Sequence, residues 1–396
     1  MWGGAARMHG LMQGLARRHE VAVLALLSPD QTQWIDVQLH ATSAYSGRVH
    51  VIVNDREPQG ARARRTAQLR ALASPHSFER ATHLHAGLQA ALDRMTRAVA
   101  YDVIMVEFAM MAYYRFPRGA TVVLDEHNIE YDLRRRMFES GRGGLRGLHN
   151  YLEFVKLRRE EQGAWRRAAG VVVTSARDER FVQRAAPGTR TAVVPNAVDT
   201  EQFAPDGDGG VGEPGLIAFS GSNHYYPNAE GLQFFLREVF PLVRRARPDA
   251  HVAVVGYSPP ELVREWASAD VQFKGVVPDL RPELRRARAI IAPLLSGGGT
   301  RLKVLEALAL GKAVVSTTVG AEGIELVPER DLLIGDTAER FAAQLVRVLG
   351  DDALAARLGA AGRAVAQERY DWSAAVARLE GFYGELLTSR GAPVLP

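Results

Sequence analysis

The 396-residue sequence contains no cysteine and only four lysines, at positions 156, 274, 303 and 312. Without cysteine, neither a disulfide framework nor a thiolate metal site is possible. No apolar run approaches the roughly 18 residues needed to cross a bilayer, and the N-terminus lacks the apolar core of a signal peptide. The sequence therefore predicts a cytoplasmic protein in which arginine supplies nearly all of the positive charge.

Positive charge is concentrated in the first half of the chain. Residues 1–205 carry 28 lysines and arginines against 21 acidic residues, whereas residues 206–396 carry 21 against 24. This imbalance favours an anionic partner for the first half, such as the inner face of a membrane. Arginines cluster there at Arg62, Arg64 and Arg65, at Arg134, Arg135 and Arg136, and at Arg158 and Arg159. Solvated helical faces would look the same, so both interpretations stay open. Nucleic acid is not expected, because no recognition module accompanies the scattered basic residues.

Apolar runs alternate with helical patterns along the whole chain, which is typical of βαβ units and parallel sheets. The runs predict strands at Val21–Leu27, Val49–Val53, Val103–Val106, Thr121–Leu124, Val171–Thr174, Thr191–Val194, Leu216–Phe219, His251–Val255, Val271–Phe273, Ala289–Ala292, Ala313–Ser316 and Leu332–Ile334. A glycine- and proline-rich stretch at Phe203–Gly215 predicts a linker. We therefore expect an α/β fold with two Rossmann-like domains, over residues 1–205 and 206–370, and a terminal helix over 371–396.

The beginning of the sequence departs from this pattern. A Rossmann-like domain should open on a buried central strand, but this chain opens on Trp2, Gly3 and Gly4 and continues into a helix. We therefore expect that the first strand of the first domain is missing. The stretch Gly141–Gly147 follows no strand, so we expect a loop there and not a phosphate-binding turn.

The segment Ala289–Ser316 carries the clearest chemical signal. A buried strand is followed by three glycines, which include Gly298 and Gly299, and then by a helix. Thr300 is a good N-cap residue, so the pattern places Arg301 and Lys303 in the first helical turn. Cations there oppose the helix dipole, and the arrangement therefore predicts a bound anion such as a diphosphate.

Glu306 lies further along the same predicted helix, among apolar neighbours. A carboxylate at that depth could accept hydrogen bonds from the two vicinal hydroxyls of a ribose. An ordinary amphipathic helix with exposed arginine, lysine and glutamate is the alternative. The three glycines and the cations at the positive end of the helix favour the nucleotide interpretation.

Several motifs together resemble one family. The stretch GGGTRLKVLEALALGKAVVSTTVGAEGI strongly resembles the nucleotide-binding segment of the GT-B glycosyltransferases of family 4. VVPNAVDTEQF resembles the segment that closes their first domain, and LIAFSGSNHYYPNAEGLQFF resembles the first strand, loop and helix of their nucleotide-binding domain. FKGVVPDL is similar to their base-contacting loop, and DWSAAVARLEGFY to their terminal helix. The resemblance covers nearly the whole chain.

The resemblance implies a GT-B fold, in which two Rossmann-like domains face each other across a cleft and the C-terminal helix returns to the first domain. It also implies transfer of a sugar, with retention of configuration, from a nucleoside diphosphate sugar to a glycan or lipid-linked acceptor. No metal ion or other cofactor is expected, because no Asp-x-Asp motif or histidine cluster lies where a diphosphate would bind. A nucleotide-sugar epimerase of the same architecture and a catalytically silent nucleotide-binding homologue are the alternatives.

Two departures from the family pattern concern the donor site. Many members carry a glutamate eight residues before the ribose-binding glutamate, whereas this chain has Gly298 there. Many also place an arginine and a lysine after the first strand of the second domain, where this chain has Ser220 to His224. We expect Arg301 and Lys303 to supply the missing positive charge, with Asn223 and His224 beside the donor.

The resemblance also assigns residues of the first domain. Gly3 and Gly4 resemble a glycine-rich loop whose N–H groups approach the donor phosphates or the acceptor. Asp125, Glu126, His127 and Asn128 follow a strand, and ligands bind at the carboxyl ends of strands in an open α/β sheet. A histidine there can hydrogen-bond a sugar hydroxyl or assist proton transfer, so His127 is the candidate catalytic residue. Glu107, Glu126 and Asn128 are candidates for acceptor binding, and a helix cap beside an incidental histidine is the alternative.

Overall fold

The computed structural model describes residues 3–29, 42–43, 46–140, 144–205, 207, 211–297 and 300–389. The chain divides into two compact units. Unit 1 consists of Met1–Pro195 together with Val376–Pro396, and unit 2 consists of Asn196–Ala375. The domain boundaries that we drew from composition, after residues 205 and 370, stay predictions about which segments fold on their own.

Unit 1 contains two parallel sheets among its described residues. The smaller pairs β1 (Ala22–Leu27) with β2 (Arg48–Val53). The larger has the order β3-β4-β5-β6, and its strands are Val103–Glu107, Thr121–Glu126, Gly170–Val173 and Thr191–Val193. The central strands β4 and β5 are almost fully buried, as the run of valines in each predicts.

The helices of unit 1 surround these sheets. They are α1 (Gly3–Leu15), α2 (Gly60–Leu72), α3 (Phe78–His83), α4 (Ala86–Ala98), α5 (Glu130–Ser140), α6 (Gly144–Arg167) and α7 (Ala176–Ala185). The helical pattern of the sequence over Ala81–Ala100 predicts one helix, and this prediction is wrong, because the chain is extended at Leu84 and His85. The His85 ring then accepts the N–H of Gly87 and caps the start of α4. The loop expected at Gly141–Gly147 is wrong from Gly144 onward, where α6 begins, and residues 141–143 lie outside the described residues.

Three carboxylates on α6 hold the starts of two neighbouring helices. Glu161 accepts the backbone N–H groups of Glu130 and Tyr131 at the start of α5, at 2.8 and 2.9 Å. Glu160 and Glu153 accept the N–H groups that open α3. A helix start leaves N–H groups without intrahelical partners, so these buried carboxylates accept hydrogen bonds from donors that would otherwise have no partner.

The terminal helix, α15 (Trp372–Thr388), packs on unit 1 through close approaches at two glycines. A Cβ atom on Gly14 would lie 2.3 Å from a methyl carbon of Val376, and one on Gly170 would lie 2.6 Å from the ring of Phe382. Distances this short exclude a side chain at either glycine, so the seat of α15 depends on both.

Unit 2 is built on one six-stranded parallel sheet with the order β12-β11-β10-β7-β8-β9. Its strands are β7 (Leu216–Ser220), β8 (His251–Val255), β9 (Val271–Gly275), β10 (Ala289–Ala292), β11 (Ala313–Ser316) and β12 (Leu333–Ile334). The strands β7, β10 and β11 are completely buried, as expected for a sheet covered on both faces. All twelve predicted strands are present, with ends that differ by one or two residues.

The helices of unit 2 lie between these strands in the chain. They are α8 (Tyr226–Phe234), α9 (Phe240–Ala246), α10 (Pro260–Trp266), α11 (Arg281–Arg286), α12 (Leu302–Ala309), α13 (Ala338–Gly350) and α14 (Asp352–Arg369). The long helix predicted over Ala229–Arg245 contains a π-helical segment at Phe235–Val239. Pro241 follows that segment and has no N–H group to donate, which disturbs the regular hydrogen-bond ladder there. None of the described helices has the length and apolar character needed to cross a membrane.

Candidate functional site

In unit 2, the loops that follow β7, β8 and β10 lie at the carboxyl edge of the sheet, and α12 begins there. The structure places the start of α12 one residue later than the sequence predicts. Arg301 occupies the N-cap position and the helix begins at Leu302, so the prediction of Thr300 as the N-cap is wrong. The backbone of Arg301 takes the extended conformation that a cap requires, and its carbonyl accepts the first helical bond from Val304. Gly298 and Gly299 lie outside the described residues.

Lys303 reaches from the first turn of α12 to the end of β7. Its Nζ atom donates to Oδ1 of Asn228 at 2.9 Å and lies 4.1 Å from the centre of the Phe219 ring. A Cβ atom on Gly221 would lie 3.0 Å from the same Nζ. The structure therefore brings the lysine to the loop after β7, at the place where the sequence lacks a basic residue of its own.

The surroundings of Lys303 disfavour its positive charge. Burial and the positive charge of Arg301 together lower the pKa of this ammonium group to about 7, while Glu306 acts in the opposite direction. Burial also raises the pKa of the Glu306 carboxyl, against the effect of Lys303. Two cations and one carboxyl group thus share the first turns of α12 at a cost that a bound anion would offset.

Polar oxygen atoms without a hydrogen-bond partner among the described residues border the same region. They are the side-chain oxygens Oγ1 of Thr300, Oδ1 of Asn223 and Oγ of Ser220. All three residues are at least nine-tenths buried. Buried polar atoms in native proteins are almost always hydrogen-bonded, so these three indicate a place where a ligand supplies the missing hydrogen-bond partners.

Arg301 and His224 take different places around this region. The Arg301 side chain is 7% exposed and packs over Gly297. His224 lies in the loop after β7 and stacks on Tyr257, which follows β8. The sequence pointed to His224 but gave no sign of Tyr257, because their proximity arises from strand pairing across the sheet.

In unit 1, a histidine and two carboxylates meet at the carboxyl ends of β3 and β4. Glu107 and Asp125 are register partners on the two strands. Nε2 of His127 lies 2.7 Å from Oε2 of Glu107 and 3.6 Å from Oδ2 of Asp125. The ring of Phe108 lies 4.0 Å from that of His127, and His127 is only 5% exposed. The structure therefore groups His127 with Glu107, as an acceptor-side cluster requires.

Burial and the negative charge of Asp125 raise the pKa of the Glu107 carboxyl, while the hydrogen bond from His127 lowers it. The short contact between the two side chains thus opposes the cost of burying the carboxyl group. Nδ1 of His127 is buried and has no partner among the described residues.

Arg7 is a member of this cluster that sequence reasoning missed. It lies on α1, is fully buried, and donates Nε and Nη2 to the two oxygens of Asp125 at 2.8 and 2.7 Å. Its Nη1 donates to the carbonyl of Val194 at 2.8 Å. A single arginine near the start of a helix carries no sequence signal for burial, because its partners lie more than a hundred residues away.

Three other predicted residues lie elsewhere. Glu126 points away from His127, because successive side chains of a strand alternate between its faces. It accepts the indole N–H of Trp165 at 2.6 Å, and burial raises its pKa to about 8, so this carboxyl group is not with His127. Gly4 lies inside α1 and not in a loop, because the helix already begins at Gly3. Asn128 is partly exposed, two residues before α5.

Glu107, Asp125 and His127 could together hold a metal ion, since one ligand atom of each lies within 4.8 Å of the others. Both oxygens of Asp125, however, already accept hydrogen bonds from Arg7. A metal ion would have to bind beside this guanidinium group or displace it, and like charges at that distance repel strongly in a buried site. The described geometry thus favours an arginine-held cluster.

Comparison with known proteins gives the following. Residues 214–351 match the family model described as glycosyl transferases group 1. The chain is 32% identical over 228 residues to a phosphatidyl-myo-inositol mannosyltransferase of Mycolicibacterium smegmatis, which covers 54% of this chain and 56% of the relative. It is 31% identical over 229 residues to the enzyme of the same name from Mycobacterium tuberculosis, covering 54% and 58%. The chain thus spans a little over half the length of these curated relatives.

Solved structures resemble the chain over nearly its whole length. Anabaena HepE in complex with UDP has a TM-score of 0.67 at 15% identity and covers 97% of this chain and 96% of its own. The sucrose-phosphate synthase of Thermosynechococcus elongatus has a TM-score of 0.60 at 19% identity and covers 94% and 100%. At these identities the likeness shows the fold alone.

The buried pair between Arg7 and Asp125 generates a prediction about stability. Arg7→Met should lower the free energy of unfolding by about 3–5 kcal/mol, because it leaves the Asp125 carboxylate buried without its partner. Arg7→Met combined with Asp125→Leu should recover part of that loss. Urea denaturation followed by circular dichroism measures both.

Arg18→Met is the matched control, since Arg18 forms an exposed ion pair with Glu380 at 2.7 Å. Exposed pairs contribute about 0–1 kcal/mol, so this variant should unfold nearly as the parent does. Equal losses for the Arg7 and Arg18 variants would contradict a special role for the buried pair.

Proposed function

We propose that this chain, whose residues 214–351 belong to the group 1 glycosyltransferases and whose fold is GT-B, transfers a sugar from a nucleoside diphosphate donor to a glycan or lipid-linked acceptor. The cytoplasmic location, retention of configuration and a place in polysaccharide or glycoconjugate synthesis are part of this proposal. The names of the mannosyltransferase relatives support an acceptor of the lipid-linked kind.

The observation that carries the proposal is the position of Lys303. Its ammonium group lies at the end of β7, beside Gly221 and close to the positive end of α12. A diphosphate placed there would meet two cations and the helix dipole. The anion would restore the charge that burial disfavours in Lys303, so binding and protonation support each other.

We further propose that no metal ion takes part in donor binding. Arg301 and Lys303 together supply the positive charge that a divalent cation would otherwise provide to a diphosphate. Glu306 would accept hydrogen bonds from the ribose hydroxyls. Thr300 would donate its hydroxyl hydrogen to a phosphate oxygen, since its Oγ1 is buried and has no partner among the described residues.

On unit 1, His127 is the proposed catalytic residue, and Glu107 positions it. The Glu107 carboxylate holds one ring nitrogen of His127 at 2.7 Å, which fixes the ring and leaves the other nitrogen for an acceptor or sugar hydroxyl. Asp125, which Arg7 holds in place, adds to this support, because it lies 3.6 Å from the same ring nitrogen, Nε2. Proton transfer or hydrogen bonding at the other ring nitrogen, Nδ1, would orient the hydroxyl for attack.

Donor binding tests the proposal directly. Titration calorimetry with UDP, GDP and ADP, in the presence of chelator, should detect binding of one of the three nucleotides. Arg301→Ala combined with Lys303→Ala should lower the affinity for that nucleotide by at least about tenfold, since a hydrogen bond to a charged group contributes about 1.5–3 kcal/mol. Raising the pH from 7 to 9 should weaken binding to the parent protein, because Lys303 loses its proton in that range, and the double variant should lose this dependence.

The pH range is chosen because the terminal phosphate group, with a pKa of about 6, is already ionised above pH 7. Arg264→Ala is the control, because Arg264 is an exposed arginine on α10 of the same unit. A double variant with undiminished affinity, or binding that requires added Mg²⁺, would contradict the proposed donor site.

Transfer tests the role of unit 1. With the nucleotide sugar that binds and an extract of bacterial lipids and glycans, His127→Ala should lower transfer by about 10²- to 10⁴-fold, the range of general acid–base effects. Glu107→Gln should lower it less, and neither should change nucleotide affinity by more than about twofold. Radiolabelled product measures transfer, and His19→Ala, an exposed histidine paired with Glu380, is the control.

Conversion of the donor to another nucleotide sugar without any acceptor would instead identify an epimerase. Unchanged transfer by the His127 variant would remove this residue from the mechanism. Each result is read against nucleotide affinity, so a variant that fails to fold is recognised by its failure to bind.

We also propose that unit 1 docks on an anionic membrane surface through α2 and the adjoining face of α6. Four arginines of α2 are exposed: Arg62, Arg64, Arg65 and Arg70. Leu69 is 68% exposed between them, and Tyr151 and Val155 of α6 are 46% and 45% exposed. Lys156 joins the two helices by donating to the carbonyl of Ala71 at 2.6 Å. Apolar side chains ringed by arginines are typical of surfaces that bind anionic headgroups.

The other arginine clusters contribute unequally to that surface. Arg158 and Arg159 are exposed on α6. Arg134 is paired with Glu79, and Arg135 with Asp132, so those charges are neutralised within unit 1. The proposal therefore depends on α2 more than the sequence pattern indicated.

Vesicle flotation measures membrane docking. Vesicles with about one-third phosphatidylglycerol should bind the protein at low salt, whereas pure phosphatidylcholine vesicles should not. Arg62→Glu with Arg65→Glu should reduce binding by at least about tenfold, since each basic residue contributes about 1 kcal/mol near an anionic surface. Arg237→Glu with Arg264→Glu, two exposed positions of unit 2, should leave it unchanged. Equal losses of vesicle binding in the two double variants would show that net charge, and not the surface of α2, determines binding, and would contradict the proposal.

A further inference from the structure

Two exposed rings from different loops lie stacked at the carboxyl edge of the unit 2 sheet. The ring centres of His224, after β7, and Tyr257, after β8, are 4.4 Å apart, and the planes make an angle of 12°. Tyr257 is 38% exposed and His224 is also exposed. Two stacked rings that remain open to solvent forgo the burial that aromatic side chains usually gain, and they present a flat π surface to a ligand.

The backbone around the two rings holds them together. A Cβ atom on Gly256 would lie 2.3 Å from the carbonyl oxygen of Gly221, so the two loops can approach this closely only because residue 256 is glycine. The backbone N–H of Asn223 donates to the carbonyl of Tyr257 at 2.7 Å. The stack is therefore fixed by its own loops, before any ligand arrives.

A buried hydrogen-bond acceptor adjoins the stack. Asn223 is 3% exposed, and its Nδ2 donates to Oγ of Ser258 at 2.9 Å. Its Oδ1 has no partner among the described residues. An amide oxygen can only accept, so this atom calls for a ligand N–H or O–H group.

The next loop adds an apolar side to the same place. The N–H of Gly256 donates to the carbonyl of Gly275 at 2.8 Å, so the loop that begins with Tyr257 and the loop that begins with Val276 leave the sheet next to each other. Val276 is 75% exposed. Aromatic and apolar surfaces with one acceptor match a flat heterocycle better than a sugar, whose several hydroxyls each need a polar partner.

The position of Lys303 suits the same ligand. Lys303 contacts the end of β7, and Tyr257 follows β8, the strand paired with β7. In a nucleotide, one ribose separates the base from the diphosphate, so the two groups can bind at the ends of neighbouring strands. A nucleotide with its diphosphate at Lys303 can therefore lay its base on the stack.

We propose that Tyr257, supported by His224, stacks on the nucleobase of the donor and that Oδ1 of Asn223 accepts an N–H group of that base. This proposal rests on the donor site described above and names the residues that select the nucleotide. It assigns specificity to side chains of two loops that become neighbours only in the folded sheet.

Calorimetry with the nucleoside diphosphate that binds, and with inorganic pyrophosphate as competitor, separates the base from the diphosphate. Tyr257→Ala should lower the affinity for the nucleotide by about tenfold, which is within the range known for base stacking on an aromatic ring. It should leave the affinity for pyrophosphate unchanged. Tyr257→Phe should retain affinity, because stacking needs the ring and not the hydroxyl. In NMR spectra, base protons should shift upfield on binding to the parent protein and to Tyr257→Phe but not to Tyr257→Ala.

Tyr226→Ala is the matched control, because Tyr226 is 68% exposed close by and takes no part in the stack. An equal loss of nucleotide affinity in the two alanine variants would overturn the base assignment. So would a loss of pyrophosphate affinity that parallels the loss of nucleotide affinity in Tyr257→Ala. Upfield shifts confined to sugar protons of a nucleotide sugar would show that the sugar occupies the stack, which also overturns it. Suppose that a nucleotide binds the parent protein, and that its affinity falls in the Arg301 and Lys303 double variant but not in Tyr257→Ala. The stack proposal then fails while the donor site stands. If no nucleotide binds the folded parent protein, both fail.

Discussion

Parallel pairing is the constraint on which the sites of this protein depend. In a parallel sheet every strand delivers its last residue to the same edge, so loops that are distant in sequence become neighbours there. Glu107 and Asp125 meet in this way on β3 and β4 of unit 1. In unit 2 the loops after β7 and β8 meet likewise and bring His224 onto Tyr257. Polar side chains of the candidate sites lie at these edges because the chain leaves the sheet there, and polar loops need not be buried among the apolar strands.

Buried charge is the second theme of the structure. Arg7 and Asp125 satisfy each other within unit 1, so that pair holds the His127 cluster in place without a ligand. Lys303 is different, because burial and the nearby cation Arg301 lower its pKa, its hydrogen bond goes to a neutral amide, and Glu306 offsets this shift only in part. A charge that is paired within the protein supports the fold, whereas a charge held at a cost indicates a place for an anion. The contrast separates a structural arginine from a lysine suited to ligand binding.

Local pattern predicted most of the framework. The strands were found because buried parallel strands read as continuous runs of valine, isoleucine and alanine, and the glycines before α12 marked an anion site. Helix ends were found less well. The break at Leu84 and His85 and the shift of the cap from Thr300 to Arg301 depend on backbone angles that several residue types can adopt. The start of α6 at Gly144 was missed because packing against α5 outweighs the poor helix propensity of glycine.

The sequence by itself therefore determined the α/β class and the strands, and it predicted the segment from Gly297 to Glu306 as an anion site. Periodicity and composition act over a few residues, and these features are local in that sense. Only the tertiary structure decided that Arg7 is buried against Asp125, that Glu126 turns toward Trp165, and that Lys303 crosses to the end of β7. The physical reason is that strand alternation and side-chain burial depend on which strands and helices become neighbours, and residues 39 to 118 positions apart carry no mutual signal along the chain.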